Sequence, residues 1–159
     1  MNRFRRIRLR RGMTLIELIV AFSILLLLTS MAVPLARYRV RRQKEAELRL
    51  SLRDLTTAID KFKDASDQGA LGPVKLDSDG YPESLDQLVE GVKVANSADG
   101  KKIRFLRRIP IDPFTGQREW GLRSTRDDPD SMSWGRQNVF SVYSKTYERA
   151  ADGTPYNQW

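Results

Sequence analysis

The strongest pattern along the chain is an apolar run from Met13 to Val33 that contains one charged residue, Glu17. As a helix, this run spans about 31 Å, which matches the hydrocarbon core of about 30 Å in a lipid bilayer. A chain of 159 residues has no core deep enough to surround such a helix on every side. The pattern therefore predicts a transmembrane helix over residues 13–33.

Beyond Pro34 the pattern becomes amphipathic. One apolar stripe recurs at alternating spacings of four and three residues, through Leu48, Leu52, Leu55, Ile59 and Phe62. This spacing predicts one helix over residues 13–63, with Gly69 as the residue that breaks it. The stripe needs a covering surface, which residues 64–159 must supply.

Residues 64–159 are predicted to form a small α+β head. Residues 64–80 are turn-rich, and YPESLDQLVEG at 81–91 predicts a short helix with Pro82 near its start and Leu85, Leu88 and Val89 on one face. Three segments have strand character: KIRFL at 102–106, REWGLRS at 118–124 and NVFSVYS at 138–144. We expect them to form an antiparallel sheet packed on the amphipathic helix.

The net charge of +8 is concentrated at the N-terminus, where six arginines and no acid precede Gly12. Without them the net charge falls to +2. This asymmetry predicts a cytoplasmic N-terminus and a head on the outer side of the inner membrane. A second basic segment over 37–44 opposes that orientation, and we expect it to assist lipid contact before assembly. No nucleic-acid partner is expected, because these charges flank the membrane and no recognition motif accompanies them.

The chain has no cysteine and no histidine. Disulfides and thiolate metal sites are therefore excluded, and the commonest general base and metal ligand is missing. We expect no catalytic residue and no enzymatic activity.

Glu17 is the unusual residue in the apolar run, because a carboxylate in a membrane helix costs about 2.5–3.5 kcal/mol at the middle and less near the interface, where Glu17 lies. One interpretation is an acid that reaches the nearby headgroups. The other is an acid that awaits a positive partner. Cleavage between Gly12 and Met13 would create an α-amine at the same membrane edge, and this amine on one copy could pair with Glu17 of another.

RRGMTLIELIV at 10–20 resembles the processing and assembly motif of type IV pilins and of the pseudopilins of type II secretion. The resemblance implies cleavage of residues 1–12 after Gly12 by a prepilin peptidase and N-methylation of Met13, where the family usually has Phe. It also implies an assembly role for Glu17, as the fifth mature residue. Pro34 falls where many members carry a proline, which removes a backbone donor and loosens the helix upstream.

The head resembles the major, G-type pseudopilins. The matching segments are Tyr81-Pro82, IPIDPFTG at 109–116, NVFS at 138–141, Asp152-Gly153 and Trp159, although a structural turn is sufficient to explain IPIDPFTG. This resemblance implies a pilin-like fold and an inner-membrane precursor that polymerises into a periplasmic filament driving protein secretion. The implied partners are other copies of the chain, prepilin peptidase, minor pseudopilins and the inner-membrane assembly platform.

Many of those pseudopilins bind calcium in the C-terminal loop, but here Asp152 is the only acid at a matching position. Calcium takes six to eight oxygen ligands, so we expect an Asx-type turn at Asp152 and no cofactor. The loop over 124–137 is predicted to be a surface insertion, with Asp127, Asp128 and Asp130 as an acidic patch facing solvent or a neighbouring subunit. The three tryptophans are expected in the head core or at an interface.

Two other functions remain open. A type IV pilin for adhesion, motility or DNA uptake shares the N-terminal motif, although such pilins often have a C-terminal cysteine pair that is missing here. A single-pass membrane protein with a periplasmic sensory or enzymatic head would need no cleavage after Gly12 and should tolerate Glu17→Ala.

Overall fold

The structure is a computed structural model that describes residues 14–95, 97 and 100–159. The chain divides into two compact units, Met1–Arg42 and Gln43–Trp159. The described residues form two α-helices and four short strands: α1 (Leu15–Asp67), α2 (Leu85–Glu90), β1 (Val92–Lys93), β2 (Lys102–Ile103), β3 (Gly121–Arg123) and β4 (Ser141–Tyr143). Single turns of 3₁₀ helix lie at Leu76–Ser78 and Tyr156–Gln158. The predicted α+β class is confirmed.

Helix α1 ends at Asp67 rather than at the predicted Lys63. Gly69 is the breaker that the sequence predicted: its φ of 64° is left-handed, and its N–H donates to the Ser66 carbonyl while the Ala70 N–H donates to the Ala65 carbonyl. This pair of bonds is a Schellman motif, which requires a residue with positive φ, usually Gly. The helix therefore continues for about one turn beyond Lys63 before Gly69 ends it.

Helix α2 confirms the predicted short helix, within narrower bounds. The Ser84 hydroxyl caps its start by accepting from the Gln87 N–H at 3.3 Å, while Pro82 lies before the helix and is buried. Leu85 and Leu88 are buried, as predicted for one face.

The strands form two separate two-stranded antiparallel sheets, not the single sheet that was predicted. In one sheet Val92 lies opposite Ile103, and in the other Leu122 lies opposite Val142. Strands β2, β3 and β4 fall inside the three predicted segments. Strand β1 was missed, because two residues directly after Gly91 are too few to show an alternating pattern.

The core of the unit Gln43–Trp159 forms on the predicted stripe of α1. All five stripe residues are at most 9% exposed, and Ala58, which was not predicted, joins them at 2%. The covering side chains include Leu88, Trp120, Val139 and Val142. Trp120 is 4% exposed and donates from its indole to the Pro110 carbonyl at 3.1 Å, so its predicted place in the core is confirmed.

Two buried polar residues join distant segments of this unit. The Asn138 amide donates to the Ser78 carbonyl at 2.9 Å and accepts from the Thr125 N–H at 3.1 Å. Asp112 accepts from the Phe114 N–H at 2.8 Å and from the Ser144 hydroxyl at 2.5 Å. Because buried polar groups are costly when unpaired, these bonds fix the loops at one arrangement. The turn predicted for IPIDPFTG is confirmed at Asp112.

Candidate functional site

The apolar run lies on the first part of α1 and is exposed along its described length. Its large apolar side chains are between 51% and 79% exposed from Leu15 to Leu28. An 18-residue window of this helix has a mean hydropathy of 2.5 and no buried residue. Among the described residues, α1 is the one helix long and apolar enough to cross a membrane, judged by length and composition. This is consistent with a single-pass membrane anchor.

Glu17 lies in the first turn of α1, one residue after Ile16. Its backbone N–H donates to the Thr14 hydroxyl at 3.3 Å, so Thr14 acts as the N-cap and Glu17 takes the third helical position. A carboxylate there is favoured by the positive end of the helix dipole. The pattern Thr-x-x-Glu is a capping box, a local signal that the sequence reasoning missed.

The other polar side chains of the run need no partner outside the helix. Ser23 donates to the Ile19 carbonyl at 2.8 Å, Thr29 to the Leu25 carbonyl at 2.7 Å and Ser30 to the Leu27 carbonyl at 2.8 Å. Such back-bonding satisfies a hydroxyl within its own helix. Glu17 differs from these residues, because it brings a charge that a backbone carbonyl cannot compensate.

Pro34 lies inside α1, which continues through it. Proline has no N–H to donate to the carbonyl four residues earlier, so the helix lacks one backbone hydrogen bond at this point. The predicted cleavage site, Gly12 and Met13, and the six N-terminal arginines lie outside the described residues. The pairing of Glu17 with the Met13 amine therefore stays a prediction.

The comparison with family models decides what this N-terminal segment is. Residues 7–33 match the model of the prokaryotic N-terminal methylation motif. The N-terminal segment carries this methylation motif. This match includes Gly12, Met13 and Glu17, and it supports a type IV pilin-like family. No curated protein and no solved structure matches the chain significantly.

The basic segment after the apolar run keeps most of its charge exposed. Arg37, Arg39 and Arg42 are exposed, and the Arg42 guanidinium lies over the Tyr38 ring, 4.7 Å from its centroid. An arginine next to an aromatic ring at the end of an apolar helix suits a membrane interface. Contact with lipid phosphates stays a prediction.

Asp152 forms the turn that the sequence predicted. Its carboxylate accepts from the Thr154 hydroxyl and from the Thr154 N–H at 2.9 Å, and these bonds, the hydroxyl first, hold the pKa of Asp152 below its usual 3.8. The predicted Asx-type turn is confirmed. Among the described residues, no group of three or more Asp or Glu side chains could hold a metal ion. The expectation that calcium does not bind here stays a prediction.

The predicted acidic patch needs a correction at Asp127. Its carboxylate accepts from the Ser124 N–H at 2.7 Å and from the Gly135 N–H at 3.1 Å, so it closes the loop from inside. Asp128 and Asp130 are exposed. The patch therefore consists of two acids, because Asp127 satisfies backbone donors and does not face a partner.

The pKa of Asp127 should show whether these two hydrogen bonds hold the loop closed. The backbone N–H of Ser124, followed by that of Gly135, lowers its pKa below the usual 3.8. Because this pKa is lower in the folded chain than in the unfolded chain, the ionised carboxylate stabilises the closed loop at pH values above the unfolded-state pKa. This stabilisation is lost as the pH falls through the folded-state pKa. We expect the amide NMR shifts of Ser124 and Gly135 to titrate with a midpoint below 3.8.

In Asp127→Asn the side-chain oxygen still accepts hydrogen bonds but no longer titrates. The acid-induced shift of these two amides should then disappear. A midpoint at or above 3.8 in the unchanged protein would contradict the described closure.

The C-terminal segment contains interactions that sequence reasoning missed. Tyr156 is fully buried, stacks on Phe114 with ring centroids 4.2 Å apart, and donates from its hydroxyl to Glu45 at 2.7 Å. Trp159 packs edge-on against Tyr156, while the Arg49 guanidinium lies 4.3 Å from the centroid of the Trp159 ring. These contacts tie the last residues to α1. No local pattern in PYNQW indicates them.

Proposed function

We propose that this chain is a structural subunit of a pilus-like filament, and specifically the major pseudopilin of a type II secretion system. The observation that carries the proposal is the methylation motif over 7–33, with Glu17 inside an apolar helix whose large side chains are more than half exposed from Leu15 to Leu28. An exposed helix of this kind needs lipid before assembly and other helices after it. The filament core would form from the runs of successive copies.

In this proposal Glu17 sets the register between copies. After cleavage at Gly12, the α-amine of Met13 on one copy pairs with Glu17 of its neighbour, and each charge removes the desolvation cost of the other. The role is mechanical: no catalytic group and no cofactor is assigned to the chain. Prepilin peptidase, minor pseudopilins and an inner-membrane assembly platform are the partners of this proposal.

A type IV pilin is the second candidate, because the N-terminal motif is common to both classes. Support for the pseudopilin comes from the head segments, especially the buried turn at Asp112, and from the lack of cysteine. Deletion of the gene separates the two functions. The pseudopilin proposal predicts that secreted proteins accumulate inside the cell while surface pili persist. Loss of surface pili with normal secretion would favour the pilin.

A further inference from the structure

We propose that a groove in the unit Gln43–Trp159 binds the acidic loop over 128–132 of a second copy of this chain. The proposal rests on the filament function, because a filament repeats one contact between identical copies. It adds a contact between heads to the packing of the apolar helices. Its support is the matching chemistry of two surfaces on the same chain.

The groove lies between one side of α1 and the segment 105–111, and its volume is about 670 Å³. Its lining includes Leu50 and Ile111, which are 59% and 52% exposed. Large apolar side chains that meet in a concave surface mark a site where a partner excludes water. An occupant with an apolar side chain therefore stabilises the groove, because it removes these exposed apolar side chains from water.

One rim of the groove is basic. Arg107, Arg108 and Arg118 line it and are exposed, and in the described part of the chain none of the three makes a hydrogen bond or an ion pair. The helix wall opposite carries the acids Glu47 and Asp54. The groove thus offers guanidinium groups along one side, and their preferred partners are carboxylates.

The loop over 128–132 offers the complementary groups. Asp128 and Asp130 are exposed, and their carboxylates make no hydrogen bond or ion pair within the described residues. Met132 is 52% exposed and has the flexible apolar side chain that fills irregular grooves. One short loop therefore presents two anions beside an apolar group, opposite in charge to the arginine rim.

The backbone of this loop is already fixed in the isolated chain. The Arg123 guanidinium donates to the Ser131 carbonyl at 2.8 Å, and the Tyr143 hydroxyl donates to the Met132 carbonyl at 3.1 Å. Asp127 holds the loop base, as described above. A preorganised loop loses little conformational entropy on binding, which favours its use as a docking element.

The topology of the contact favours a second copy as the occupant. The groove and the loop are different patches of one chain, so every copy carries both halves of the contact. Used in one direction only, the contact is head-to-tail, and it extends into an open helical array when the rotation does not close. This is the geometry of a filament.

Charge reversal tests the contact in full-length protein expressed in its host. We expect Arg107→Glu/Arg108→Glu and Asp128→Lys/Asp130→Lys each to lower filament yield by about tenfold or more, because like charges then face each other. Both reversals in one chain should restore most of the yield. Lys101→Glu/Lys102→Glu is the matched control: it changes the same total charge at exposed positions outside the groove and should assemble normally.

Disulfide cross-linking tests whether a lowered filament yield comes from the lost contact or from a loss of folding. The chain has no cysteine, so Arg108→Cys and Asp130→Cys in two differently tagged copies provide the only thiols. We expect a disulfide between the two tagged copies in assembled filaments. The docking contact would be overturned if no cross-link forms and if Arg107→Glu/Arg108→Glu and Asp128→Lys/Asp130→Lys each assemble with normal yield. The groove would then be assigned to another partner. If the unaltered chain forms no filament, the proposed function fails, and the docking contact fails with it.

Discussion

Glu17→Gln should abolish filament assembly while leaving membrane insertion intact. A carboxylate inside a membrane helix costs about 2.5–3.5 kcal/mol at the middle and less near the edge, where Glu17 lies, and pairing with an amine of another copy recovers that cost. A neutral side chain removes this driving force, and about 1.4 kcal/mol corresponds to tenfold in an equilibrium constant. Filaments sheared from cells and counted by electron microscopy should fall at least tenfold. Normal filament yield would contradict the pairing.

Glutamine is the informative substitution because Glu17 has two roles to separate. As the third residue of the helix it stands at the acidic position of a capping-box sequence that starts at Thr14, and glutamine suits that position as well as glutamate does. Thr14→Ala removes the cap without changing charge, and Ser23→Ala removes a hydroxyl that bonds only to its own helix. Both control variants should assemble. Loss of assembly in Thr14→Ala but not in Glu17→Gln would assign the position to helix capping.

Phe62→Ala should destabilise the unit Gln43–Trp159 by about 3–5 kcal/mol, because it leaves a cavity where a large side chain was completely buried. The substitution also removes an edge-to-face contact with Phe105, whose ring centroid lies 5.3 Å away. Urea unfolding of the full-length protein in detergent, followed by tryptophan fluorescence, measures this loss. The unfolding midpoint should fall sharply while the helical signal of the apolar run persists.

Phe140→Ala is the matched control for this cavity. Phe140 makes the same type of edge-to-face contact, with Tyr81 at 5.3 Å, but it is 48% exposed. We expect a loss of about 1 kcal/mol, which is the size of the aromatic contact alone. Equal losses in the two variants would show that the stripe on α1 is not the centre of the core.

The sequence predicted the parts of the fold that depend on long periodic patterns. The stripe through Leu48 and Phe62 repeats over several turns, and its burial against the head was confirmed. Gly69 marked the end of α1 because few other residues adopt a left-handed φ. The two short sheets were harder, since β1 has two residues and its pairing with Ile103 depends on a close approach at Gly91. A Cβ at Gly91 would lie 2.6 Å from the Ile103 carbonyl oxygen.

The same difference between local sequence patterns and tertiary contacts applies to the candidate site. Glu17 was singled out because one acid in an apolar run is visible from sequence alone, and its role in assembly stays a prediction. The role predicted for Asp127 was wrong, because its hydrogen-bond donors, the N–H groups of Ser124 and Gly135, depend on how the loop closes. Tyr156 bonds to Glu45 across most of the chain, so no local window contains both groups. Contacts set by tertiary folding therefore had to come from the structure.

The intact mass of the protein, purified from cells with an active prepilin peptidase, tests the central claim most directly. The account predicts the mass of residues 13–159 with one added methyl group, located on the α-amine of Met13 by fragmentation. A protein that retains residues 1–12 under those conditions would contradict the account, since the amine that pairs with Glu17 would never form.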